Sequence, residues 1–192
     1  MQNNKYQSSK GRGEILRKFF SIIYLIILFF IIYFLQTNFF TWFTISGVMP
    51  NLFIVLMLFI GLFVGKKIGF YLGIIFGICL DLFTAKTIGI TGIMLGTIGL
   101  IGEYLDKAFS KDNRLTIILM TTGSTIFYEI GMYILKILKN NITIEILPFL
   151  KILLIELIYN IILVIIFYPI IKKSGELLEN TFKEKEILTR YF

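Results

Sequence analysis

The chain has 192 residues, of which 57% are hydrophobic and 16% aromatic but only 16% charged, and its mean hydropathy is +0.85. A soluble domain carries about 25% charged and about 45–50% apolar residues, so this composition excludes the soluble classes. With no histidine and a single cysteine, Cys79, the chain cannot build a Ser-His or Cys-His pair, a histidine-ligated metal site, an internal disulfide or a CxxC site.

A helix crossing the hydrocarbon core needs about 17–25 mostly apolar residues, and six largely apolar runs are candidates. Residues 1–18 form a polar, basic N-terminal segment, followed by the first predicted span at 19–35. No small-residue cleavage site follows that span, so it reads as a retained helix rather than a signal peptide. The uncharged stretch 36–49 carries Phe39, Phe40, Trp42 and Phe43. Such a cluster suits the outer membrane interface, with docking of a partner's helix as the alternative.

The second span is predicted at 50–64, with Pro50 in its first turn, where a missing N–H costs nothing. The third follows at 68–83 and contains Cys79, read as a packing residue, and Asp81 near its outer end. The fourth, at 88–104, carries Glu103 near its inner end. Both acids are expected to reach the interface and be solvated. At about 1.5 Å per residue the second and third runs barely span, and one of them could be re-entrant. The fifth and sixth spans are predicted at 115–135 and 149–171, and Pro169 is expected to kink or end the sixth. Residues 172–192 form the tail, whose Leu177, Leu178, Phe182 and Leu188 among alternating charges suit either a short surface helix or a solvated segment.

The net charge of +7 falls in short basic blocks between the apolar runs, a pattern that reports topology rather than a nucleic-acid surface. With six spans, fifteen of the 19 basic residues fall on one side and four on the other. The positive-inside rule then places both termini in the cytoplasm. The expected fold class is an all-α membrane bundle of about six helices occupying residues 19–171.

Within the spans, glycines recur every four residues at Gly61, Gly65, Gly69, Gly73 and Gly77, and the fourth span continues with Gly89, Gly92, Gly96, Gly99 and Gly102. Such stripes let backbones approach closely, and packing within the bundle is the weightier expectation. Glu129 and Glu156 lie at similar predicted depths, where a charge costs about 2.5–3.5 kcal/mol or more. Each should therefore face the interior, a wet cavity or a partner, with Asn160, Tyr128 or Tyr159 as hydrogen-bonding neighbours. The pair reads either as a hydrogen-bonded structural pair or as a proton or substrate site.

The stretch Pro50-Asn51-Leu52 opening a span resembles the MreD family of bacterial rod shape-determining membrane proteins. So does the run Gly69, Phe70, Gly73, Gly77 and Asp81, with Gly89 opening the next span. The acidic residue usual after the proline is Asn51 here. The resemblance implies a non-enzymatic scaffold of the cell-wall elongation machinery in the cytoplasmic membrane, with no cofactor. It also implies a bitopic MreC-like partner and, indirectly, MreB, RodA and a penicillin-binding transpeptidase. On this view the glycine-lined faces receive partner helices, and the family is related in fold to the six-helix substrate-binding subunits of energy-coupling vitamin transporters. The alternative function is such a substrate-binding subunit itself, with a pocket opening outward.

Overall fold

The computed structural model describes residues 2–84, 88–109, 113–140 and 145–183. Among these the chain is helical: α1 (Gln2–Phe34), α2 (Leu52–Phe63), α3 (Lys66–Phe83), α4 (Ile90–Ala108), α5 (Arg114–Asn140) and α6 (Ile146–Phe182). Three stretches are long and apolar enough to cross a membrane by themselves, namely Gly13–Phe43, Arg114–Lys139 and Ile146–Phe182. The predicted runs thus correspond to six helices, with boundaries moved. α1 starts well before residue 19, and Pro169 does not end α6, which continues to Phe182. Proline frees only one carbonyl, that of Ile165, on an exposed flank of the helix. The continuation past Pro169 is held on the bundle because Leu178 is buried and Gly175 lies against the Phe63 ring.

The architecture is organised around α2. Its twelve residues, Leu52–Phe63, are all buried, as expected of a segment that is apolar on every face. At about 1.5 Å per residue it is roughly 18 Å long, well short of the hydrocarbon thickness, and it touches each of the other helices. α2 and α3 are joined by only Val64 and Gly65, and Gly65 takes φ +111°, which a side chain would disfavour. α1 leans on this centre through one face. Leu25 and Phe29 are fully buried, and the Phe29 ring stacks on Phe76 of α3 with centroids 4.2 Å apart. Its other flank, with Phe19, Phe20, Phe30 and Phe34, is exposed.

After α1 the chain passes through a π-turn (Leu35–Phe39) and a 3-10 turn (Phe40–Phe43). Trp42, at 88% exposure, projects from this segment with Phe39 and Phe43 also exposed, an arrangement compatible with an interfacial belt. A tight turn at Ser46 and Gly47, both with positive φ, then reverses the chain, closed by paired hydrogen bonds between Ile45 and Val48 of 3.0 and 2.9 Å.

Candidate functional site

A short helix buried inside a membrane bundle leaves end groups that neither water nor its own turns can satisfy. In this molecule side chains of other segments satisfy some of them. At the α2 N-terminus the Leu52 N–H donates to Gln36 Oε1 (3.2 Å) and Gln36 Nε2 donates to the Pro50 carbonyl (2.5 Å). The Asn51 N–H donates to Oδ1 of the fully buried Asn160 (2.9 Å), whose Nδ2 donates to Thr125 Oγ1 of α5 (3.1 Å). At the opposite end Lys183 Nζ donates to the Leu62 carbonyl (2.5 Å) and pairs with Asp106 (2.6 Å) and Glu179 (3.6 Å). A cation on the last carbonyls of a helix also suits its dipole.

The two glutamates belong to the N-terminal polar ring. Glu129 of α5 and Glu156 of α6 lie near each other, with the Asn51 side chain close to both Glu156 and Tyr128. Glu156 is buried, and its Oε1 has no partner among the described residues; Ser124 Oγ is similarly orphaned.

Of the expected neighbours, Tyr128 joins the ring. Asn160 instead ties α2 to α5, and the Tyr159 hydroxyl donates to the Phe43 carbonyl. Gln36, Thr125 and Lys183 were not singled out from sequence. The signal that could have found Gln36 and Thr125 is a polar residue inside or just beyond an otherwise apolar run.

The motif residues cluster on the α2–α4 unit. A Cβ built on Gly73 would lie 2.6 Å from Gly96 Cα, Gly96 N and the Leu95 carbonyl oxygen, and one on Gly69 would lie 3.1 Å from the Gly99 oxygen. A Cβ on Gly77 would run into the Gly92 backbone, and one on Gly61 into Gly99, while Phe70 covers Gly96. These faces are closed backbone to backbone, so the expectation that they receive partner helices is corrected: the surface a partner would need is occupied by this chain's own α2, α3 and α4. Pro50 is buried just ahead of α2.

Asp81 is likewise not solvated. It is 1% exposed, and its Oδ2 accepts from the Gly89 N–H (2.8 Å) and the Thr91 N–H (3.3 Å), closing the start of α4. Gly89 takes φ +96° there, so the Asp81–Gly89 pairing in the motif is one structural device: an acceptor, and the left-handed turn that presents an N–H to it. Glu103 is half-buried, its carboxylate 3.1 Å from Lys107. Among the described residues no three His, Cys, Asp or Glu side chains come together in a way that could hold a metal ion. What the arrangement does chemically is lock helices in register and hold the Glu156 carboxyl, with Glu129 near it, away from bulk water.

A sequence model of the family described as rod shape-determining protein MreD matches residues 17–174. Comparison with curated proteins found no match, and comparison with solved structures found none.

Proposed function

The chain belongs to the MreD family of rod shape-determining proteins, and from this premise we infer that it acts as a non-enzymatic membrane scaffold of the cell-wall elongation complex, binding a bitopic MreC-like partner. The observation that carries the reading is the family match across residues 17–174, which takes in α2 to α5 complete together with most of α1 and α6. The central half-length helix, tied at both ends by side chains of other segments, supports it further. Because the glycine faces are closed, a partner helix has to use an outward face of the bundle. MreB, RodA and a penicillin-binding transpeptidase then join through that partner. In this reading the protein sits in the bacterial cytoplasmic membrane with both termini inside, as the basic residues between the spans favour, and its fold is that of the six-helix vitamin-transporter subunits.

Depletion in a rod-shaped host tests the proposal. Cells lose their rod shape and round up on depletion, and re-expression of the wild-type chain restores rods. Unaltered rods after depletion to undetectable levels would overturn it.

A further inference from the structure

The bundle has an open seam between its first and last helices. Between α1 and α6 runs an apolar groove of about 270 Å3, walled by Leu28 and Ile32 of α1 and by Phe167 and Ile171 of α6, with Val55 and Phe59 of α2 as its floor. Near its end the Tyr24 hydroxyl donates to Ser174 Oγ across 3.3 Å. Just beyond, between the same two helices, lies a polar pocket of about 450 Å3, lined by Glu14, Arg17 and Lys18 on α1 and by Asn180, Thr181 and Lys183 on the other side. Leu178 lines the groove and Thr181 lines the pocket, so along α6 the two sites are roughly 4–5 Å apart at the helical rise. They follow one another along the same two helices, the basic pocket beyond the end of the apolar groove.

We propose that this seam binds an anionic phospholipid, its phosphate in the polar pocket and one acyl chain in the groove. Lys183 is already engaged with Leu62, Asp106 and Glu179, so the cations that meet the phosphate are Arg17 and Lys18, both exposed, with Glu14 the opposing carboxylate. Basic pockets between membrane helices are suited to lipid phosphates. A protein helix would cover the groove but leave the pocket's cations facing nothing, so charge complementarity selects the lipid. The leaflet follows from the orientation proposed above, whereas binding itself does not depend on it.

The test titrates the purified full-length chain, in mild detergent, with phosphatidylglycerol or phosphatidylethanolamine and counts bound lipid by native mass spectrometry. The Arg17→Gln/Lys18→Gln double variant and Leu28→Trp, which fills the groove, are run beside wild type. Phosphatidylglycerol is expected to be retained in preference to phosphatidylethanolamine. The double variant loses about 25-fold in its affinity, at about fivefold per surface cation, and Leu28→Trp weakens binding of both lipids. Equal retention of the two lipids, a double variant indistinguishable from wild type, displacement by glycerol 3-phosphate as effective as by lipid, or a lipid-free dimer that closes the seam would each overturn the proposal. Should Leu28→Trp not fold, the double variant, made at exposed positions, decides alone.

Discussion

Replacing Gly73 with alanine adds one methyl group at the tightest part of the α3–α4 seam. The new carbon would sit 2.6 Å from Gly96 Cα, Gly96 N and the Leu95 oxygen, while carbon atoms rest comfortably at about 3.5–4.0 Å. The contacts are rigid backbone, so the helices must separate by about 1 Å. A gap of that size forfeits about a quarter to a half of the dispersion energy across the contact, and overpacking of this kind costs about 1–3 kcal/mol. Alanine's better helix propensity returns about 1 kcal/mol, leaving a net loss of about 1 kcal/mol. At about 2–4 °C per kcal/mol, Gly73→Ala should lower the melting temperature by about 2–4 °C. The assay is the far-UV circular dichroism melt in mild detergent, with Gly123→Ala as control. A Cβ on Gly123 meets nothing within 4 Å, so the same chemical change there should leave the melt unchanged or raise it. A Gly73→Ala protein as stable as wild type would refute backbone-to-backbone packing of α3 on α4.

Asp81→Ala removes the acceptor for one buried and one part-buried N–H group and should cost about 2 kcal/mol, with Asp81→Asn, which keeps an acceptor oxygen, losing less in the same melt. Asn160→Leu orphans the Asn51 N–H and Thr125 Oγ1 and should cost about 2–3 kcal/mol; a melt unchanged from wild type would remove the register role given to this residue. Glu129→Gln/Glu156→Gln keeps hydrogen-bonding groups in place but removes both ionisable carboxyls. On the scaffold reading it restores rods in depleted cells as wild type does, whereas normal expression with round cells would make the pair a proton or substrate site.

Much of the fold is legible in the sequence because lipid imposes long, largely apolar runs, and each of the six runs corresponds to a helix. The fourfold glycine spacing is legible for a related reason: a 3.6-residue repeat keeps such positions on one face, and only another backbone makes use of a face so bare. What periodicity does not carry is which backbone. Gly61, Gly69 and Gly99 meet because α2 and α3 turn back on each other at Gly65, a three-body arrangement with no counterpart in local spacing.

The polar ring is less legible still. Glu129 and Glu156 stand out as charges in apolar runs. Their neighbours Asn51 and Tyr128, and the caps from Gln36, Asn160 and Lys183, depend on where the ends of a buried half-length helix fall. Asp81 reads as an interfacial acid by position alone, and becomes a buried cap because Gly89 folds its own N–H back onto it. Pro169 misleads for the opposite reason, since the usual helix-breaking rule weakens where a single freed carbonyl lies on an exposed flank.

The scaffold reading is tested most directly by co-expressing the tagged chain with the MreC-like bitopic protein of the same organism, extracting in mild detergent, and measuring the mass of the affinity-purified complex. The account predicts a stoichiometric complex of the two proteins that survives gel filtration and carries no vitamin-sized ligand. A chain that elutes without the bitopic protein, or with a membrane coupler, ATPases and a bound small molecule, would contradict it.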